Sequence, residues 1–341
     1  MQTRCLTQLD IQQAAQILKD GGLVGIPTET VYGLGANGLD AHGVKRIFEA
    51  KGRPQDNPLI LHIPSASWLE RYCRDIPETA YVLAARFWPG PMTMVLKRRE
   101  IVPDVVTAGL DTVGMRCPAH DLCRAIIAAA DVPVAAPSGN TSGRPSPTTA
   151  RHMLEDMNGK IEAIVDGGAS MVGLESTIID LTCTPPRLLR PGGLTLEQLQ
   201  EVLGDVEVDP AVTRLMKAGE QPRAPGMKYR HYAPKAPVTV VTGAAEKSAA
   251  YIAEHADPRD GVICFDEFME LFTGQGGARP VMDLGPAADK EEQARHIFDA
   301  LRAFDHTDVP AIWAQCPDTG GIGLAIANRL NKAAGFHIVE V

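Results

Sequence analysis

The chain has 341 residues, 45% of them hydrophobic, and a formal net charge of −9, which is long enough for two domains of roughly 100–200 residues each and for a substantial buried core. The acidic total excludes wholesale coating of nucleic acid, which needs a basic surface, but leaves room for a local basic patch that holds a nucleotide. No apolar run approaches the roughly 18 residues needed to span a bilayer, and Met1-Gln2-Thr3-Arg4-Cys5-Leu6-Thr7 lacks the hydrophobic stretch of a secretory signal, so a soluble, cytoplasmic protein with no membrane contact is expected.

In chain order, Leu23-Val24-Gly25-Ile26 reads as a buried strand leading into the polar loop Pro27-Thr28-Glu29-Thr30. A helix follows, with Asp40 as its N-cap, Val44, Ile47 and Phe48 on one face, and Gly52 at the left-handed position beyond its end. Lys51 and Arg53 therefore flank a helix terminus. Strands are expected at Leu59–Ile63, Met92–Leu96, Val132–Ala136 and Thr177–Leu181, with helices near 79–87, 119–130 and 149–157. The alternation is that of an α/β domain over residues 1–210.

Residues 211–235 contain Pro222, Pro225 and Pro234, little apolar periodicity, and a net charge of +5 inside an acidic chain. They read as a basic, proline-rich linker or lid. A second α/β pattern occupies 236–341, with strands expected near Val238–Val241, Val262–Phe265, Val281–Leu284 and Ala311–Ala314 and a helix at Lys290–Phe304. That spacing suits a small Rossmann-like sheet. Gly321-Ile322-Gly323 opens a helix after a strand, but Ile326 stands where a dinucleotide fingerprint needs its third glycine. The seven cysteines form no Cys-x-x-Cys pair and read as reduced, partly buried thiols.

The densest polar cluster is Pro27 to Gly35, then Lys51-Gly52-Arg53-Pro54-Gln55-Asp56-Asn57-Pro58 and His62. Lysine and arginine spaced around a glycine can converge on one anion, the first as a point charge and the second as a two-pronged donor. The same residues also serve helix ends and turns, so each alone says little. Ala136-Pro137-Ser138-Gly139-Asn140-Thr141-Ser142-Gly143-Arg144-Pro145-Ser146 lies between a strand and a helix, where small residues and hydroxyls suit phosphate. Thr112 to Arg116, Glu175-Ser176-Thr177 and Arg190-Pro191-Gly192 add donors of the same kind. Together they suit a large anionic substrate.

These stretches, in this order, resemble the signatures of the L-threonylcarbamoyladenylate synthase family. The segments Ala224 to Pro234 and Gly323 to Leu330 resemble its two-domain form, so the resemblance covers almost the whole chain. One departure is Ser138-Gly139-Asn140, where many members carry Ser-Ala-Asn. The resemblance implies an α/β fold: a twisted, open, mixed-sheet catalytic domain and a smaller Rossmann-like accessory domain.

It also implies a reaction in which the amine of L-threonine joins carbon dioxide or bicarbonate. The carbamate then attacks the α-phosphate of ATP and expels pyrophosphate. No covalent protein nucleophile is needed; positioning and electrostatics carry the chemistry. By matching motif, threonine is expected on Thr30, His62, Arg116, the backbone of Ala136, and Ser176, with Arg116 on its carboxylate. ATP is expected on Lys51, Arg53, Asn57, Thr112, Ser138, Ser146, Arg190 and Tyr232, with Tyr229 and Tyr232 in a segment that closes over the nucleotide. No metal ligands are assigned: Mg2+ is expected to ride on the phosphates with water as its other ligands. The product is expected to pass to tRNA threonylcarbamoyl-transferase machinery, with at most weak tRNA contact by this chain.

Two alternatives stand beside this reading. In one, Lys45, Arg46, Lys51 and Arg53 grip the phosphates of an RNA in a binding module. In the other, the chain handles carbamoyl-phosphate-derived adenylates in hydrogenase maturation, which would usually bring zinc cysteines that are absent here.

Overall fold

A computed structural model describes residues 2–214, 216, 220–228, 231–273 and 279–341. The chain divides into two units. One is Met1–Ser142 with Ser146–Lys228; the other is Tyr229–Val341 with the tripeptide Gly143–Pro145.

The strands of the first unit are Arg4–Leu6 (β1), Val24–Ile26 (β2), Gly33–Asn37 (β3), Ile60–His62 (β4), Met92–Lys97 (β5), Thr112–Arg116 (β6), Val134–Ala135 (β7), Ala163–Val165 (β8), Thr177–Asp180 (β9), Arg187–Arg190 (β10) and Glu207–Val208 (β11). They form one sheet in the order β1-β8-β2-β3-β7-β4-β6-β5-β9-β10-β11. Pairing is parallel for β1/β8, β2/β8, β4/β6, β5/β9 and β10/β11. It is antiparallel for β2/β3, β3/β7, β4/β7, β5/β6 and β9/β10. The sheet is mixed, as expected.

Central strands such as Val24–Ile26 and Ile60–His62 are buried throughout, which explains why they read as apolar runs and not as alternating patterns. Helix Ile11–Lys19 sets Ala14, Ala15, Ile17 and Leu18 in a core shared with Ile126 and Ile127 of helix Asp121–Ala130 and with Val24, Ile26 and Val134 of the sheet. Helix Ala41–Lys51 begins where the Asp40 carboxylate accepts the His42 amide at 2.9 Å and ends at Gly52, whose φ of 62° is left-handed. Both ends match the sequence expectation, and a cap of this kind contributes about 1 kcal/mol.

The second unit carries Val238–Thr242 (β12), Gly261–Cys264 (β13), Val281–Asp283 (β14), Ile312–Gln315 (β15) and Ile338–Glu340 (β16). Their order is β14-β13-β15-β12-β16, with every pair parallel. This is the small Rossmann-like sheet, with Val241, Ile252, Val262, Cys264 and Phe272 in its core. Within this unit the Ala233 amide donates to Gly143 O at 2.8 Å, and Arg144 meets the buried Asp305 at 2.7 Å.

The basic segment 211–235 is divided between the units. Up to Lys228 it belongs to the first, where Ala211, Ala224 and Met227 pack with Ile60, Val95, Ile178 and Leu189. Its apolar residues are too sparse for periodicity, yet three of them reach the core. Tyr229 and Arg230 lie outside the described residues.

Candidate active site

The loop between β2 and β3 is shaped by Thr28. Its hydroxyl donates to Val31 O at 2.6 Å and accepts the amides of Thr30 and Val31, both at 3.2 Å. A hydroxyl has one proton to give, so the 2.8 Å contact between the Thr28 and Thr30 hydroxyls has Thr30 as donor. Thr30 Oγ1 is thereby left as an acceptor. The loop is held from the segment after β8: Val172 N donates to Glu29 O at 2.7 Å, and Ser170 Oγ donates to Thr28 O at 3.0 Å. The Tyr32 phenol accepts from Gly167 N at 3.1 Å and donates to Gly168 O at 2.7 Å. Burial pushes that phenol up to about 12, so it keeps the proton it donates.

Parallel pairing of β4 and β6 sets His62 beside Arg116. Burial, and then the Arg116 cation, hold the imidazole down to about 3, so His62 is neutral at physiological pH. Arg116 Nη2 lies 2.8 Å from Glu29 Oε1, with the two side chains 5% and 8% exposed. The ion pair lacks the alignment of a hydrogen bond: neither Glu29 oxygen nor Arg116 Nη2 has a hydrogen-bond partner. His62 Nδ1 and both polar atoms of the Asn57 amide are likewise buried without one. Native interiors satisfy nearly all such atoms. Of these residues, Glu29, His62 and Arg116 are brought together by the ion pair and by the β4/β6 register.

Lys51 is 2% exposed and donates to the carbonyl oxygens of Ser138 and Asn140. It shapes the 138–142 loop from beneath, and Ser142 N returns a bond to Lys51 O at 2.8 Å. Ser138 Oγ donates to Asn140 Oδ1 at 2.6 Å. The loop also lies along β3: Leu34 N donates to Pro137 O at 2.8 Å and Gly139 N to Tyr32 O at 2.7 Å. Ser146 Oγ donates to Glu175 Oε1 at 2.5 Å, and the Ala136 amide donates to Ile60 O at 3.0 Å.

Ser176 Oγ meets Thr93 Oγ1 at 2.8 Å and receives Arg190 Nη2 at 3.2 Å. Arg190 also donates to Ser176 O and, at 3.3 Å, to Pro225 O. Arg53 is buried, with Nη2 3.2 Å from Pro58 O. Thr112 opens β6 and Arg116 closes it, so these two mark opposite ends of one strand. Tyr232 belongs to the second unit, where its ring centroid lies 5.2 Å from that of Phe298 and the Arg329 guanidinium sits 5.4 Å from it. No group of three or more His, Cys, Asp or Glu able to hold a metal ion occurs among the described residues.

Family models match residues 16–192, for the Sua5, YciO and YrdC group described under telomere recombination, and residues 194–335, described as the C-terminal domain of threonylcarbamoyl-AMP synthase. A threonylcarbamoyl-AMP synthase of Pyrococcus abyssi is 51% identical over 337 residues, spanning 97% of this chain and 96% of that one. The chain belongs to the Sua5 family. The threonylcarbamoyl-AMP synthase of Bacillus subtilis is 46% identical, covering 97% and 94% of the two chains. The crystal structure of P. abyssi Sua5 complexed with L-threonine matches with a TM-score of 0.89, 47% identity and 100% coverage of both chains. The two-domain α/β architecture is therefore that of Sua5.

Sua5 membership draws attention to two features that sequence reasoning left without a role. Glu29 is the only acidic residue of the β2–β3 loop, and its flanking by two threonines was its one signal. The 166–172 segment, which fastens that loop, carried no signal beyond Gly167 and Gly168. A Cβ on Gly167 would lie 2.6 Å from the Pro27 ring, so glycine is needed for the close approach.

Proposed function

We infer that this Sua5 protein is a threonylcarbamoyl-AMP synthase, making threonylcarbamoyl-AMP and pyrophosphate from L-threonine, bicarbonate or carbon dioxide, and ATP. The product serves threonylcarbamoyladenosine formation beside the tRNA anticodon, after transfer by separate machinery. The observation that carries the reading is the buried Glu29–Arg116 ion pair with neutral His62 beside it, in a chain alike over nearly its whole length to enzymes of that name.

The chemistry asks for two substrates held in line and for donors around the transferring phosphorus. Arg116, with neutral His62 beside it, suits the threonine carboxylate, and Thr30 Oγ1 offers an acceptor. The Ser138–Ser146 stretch, braced by Lys51, suits the nucleotide together with Arg53, Asn57, Thr112 and Arg190, and Ser176 lies against Arg190. The five buried cysteines are held as thiols, with Cys73, Cys123, Cys264 and Cys316 pushed up to about 12 by burial, so none is a ready nucleophile. Mg2+ is taken to accompany the phosphates, with water as its other ligands.

An RNA-gripping module fits poorly. Lys51 and Arg53 are buried, and Arg46 is engaged by Glu162 at 2.6 Å and Gly21 O at 3.0 Å. Pyrophosphate release is the test: it should require ATP, L-threonine and bicarbonate together. Release that ignores threonine would overturn the assignment.

A further inference from the structure

The buried pair Glu29 and Arg116 is unusual for an ion pair. Burying two charges is unfavourable unless good geometry and further hydrogen bonds compensate, and here both carboxylate oxygens and Arg116 Nη2 lack hydrogen-bond partners. A purely structural pair gains from alignment; this one is left open. The remaining bond from the guanidinium is a long one, Arg116 Nε to Gly90 O at 3.4 Å. Glu29 is nevertheless held firmly in place through its backbone, by Val172 N at 2.7 Å. The two side chains thus present one negative and one positive group, side by side, with unused hydrogen-bonding capacity on both.

An α-amino acid is the complementary object: a carboxylate and an ammonium on one carbon. We propose that Glu29 and Arg116 together read the substrate zwitterion, Arg116 taking the α-carboxylate and Glu29 the α-ammonium, whose proton Glu29 then accepts. The inference rests on the reading of this site as the threonine site. In the proton transfer, the ammonium and the Glu29 carboxylate become a neutral amine and a carboxylic acid. The nitrogen lone pair so freed bonds to the carbon of carbon dioxide as one C=O electron pair moves onto oxygen, and the nitrogen's extra proton leaves to water to give the carbamate; with bicarbonate, the C–OH bond breaks instead and the hydroxyl leaves as water with that proton. Thr30 Oγ1, whose own proton is directed at Thr28, is a second acceptor for an N–H of the same group. Neutral His62 beside Arg116 adds no competing cation. A substrate of zero net charge enters without leaving a buried charge unbalanced, whereas a simple carboxylate would leave Glu29 facing it.

Calorimetric titration of L-threonine and of 2,3-dihydroxybutyrate, its analogue with hydroxyl in place of ammonium, separates the roles. The parent should prefer threonine. Glu29→Gln should weaken threonine by at least about tenfold while leaving the hydroxy acid unchanged or tighter, because the amide no longer opposes a carboxylate on Arg116. Glu29→Asp should keep part of the preference, and unchanged ATP binding by both variants reports that they fold. Equal weakening of both ligands by Glu29→Gln would mean that Glu29 only orients Arg116, and would overturn the proposal. Arg116→Gln should weaken both ligands; threonine binding indifferent to Arg116 would instead overturn the reading of the site.

Discussion

Met153 sets its thioether against Gly139: a Cβ built on that glycine would stand 2.7 Å from both Sδ and Cε. A Cβ built on Gly25 of β2 would likewise stand 2.7 Å from the Met153 Sδ, and Met153 is fully buried. The end of this side chain must shift to admit a methyl at Gly139. Gly139 is the departure from the family pattern noted in the sequence, and here the methionine occupies the room that a methyl would need.

Gly139→Ala should therefore lower stability by about 1–3 kcal/mol through overcrowding, and shift the 138–142 loop enough to raise KM for ATP more than KM for threonine. Combining it with Met153→Val should recover most of the loss. Urea denaturation of the two single variants and the double variant measures the coupling; strictly additive effects would refute the steric relation.

Lys51 is expected to act on the nucleotide through the loop that it braces. Lys51→Met removes the donor to one buried and one part-buried carbonyl oxygen, and a buried one costs about 1–3 kcal/mol if left unpaired. Tm should fall, and KM for ATP should rise well before KM for threonine. A variant with parental Tm and weakened threonine binding would place Lys51 in a different role.

His62 gives a pH dependence with a definite sign. Its folded value is about 3, below the ordinary 6.5, because of burial and then Arg116. As pH falls, the unfolded chain takes up the proton first, so stability is full above 6.5 and drains away between 6.5 and 3. The slope contributed is at most about 1.4 kcal/mol per pH unit. His62→Gln should flatten the dependence of unfolding free energy on pH between 6.5 and 4.5. Parallel profiles for variant and parent would rule out a buried neutral imidazole.

Asn57 should show a trade between stability and binding. Its amide oxygen and nitrogen are both buried without partners, so Asn57→Leu should raise the stability of the ligand-free protein by about 1 kcal/mol or leave it unchanged. ATP affinity should drop at the same time, which calorimetry would detect. Destabilisation of the free protein together with unchanged ATP binding would contradict this.

Much of the fold was legible in the sequence where a single local signal sufficed. Asp40 and Gly52 bracket their helix as cap chemistry requires, and runs such as Val24–Ile26, Met92–Lys97 and Val262–Cys264 are strands because nothing but an apolar interior suits them. The short strands β8, β10 and β11 were missed. β8 owes its conformation to partners far along the chain, Ala163 pairing with Arg4 and Val24, and β10 to the strands on either side of it, Arg187 pairing with Asp180 and Glu207. Gly33–Asn37 read as the continuation of a polar loop because Gly33 and Gly35 carry no side chain to show alternation. At the site, the motifs supplied the residue types. They could not show that Lys51 turns inward to loop carbonyls, or that Glu29 meets Arg116, since both facts depend on how the β2–β3 loop lies against β6.

The place of β8 in the sheet has a consequence for how the protein is made. It lies between β1 and β2, with Ala163 paired to Arg4 on one side and to Val24 on the other. A ribosome must therefore deliver Ala163–Val165 before the two earliest strands have a neighbour to share. Until then the nascent chain carries the exposed backbone edges of β1 and β2, the kind of surface that other chains can pair with. β5 waits later still, for Thr177–Asp180 of β9, so the open edges of this sheet are closed only as the last part of the first unit emerges.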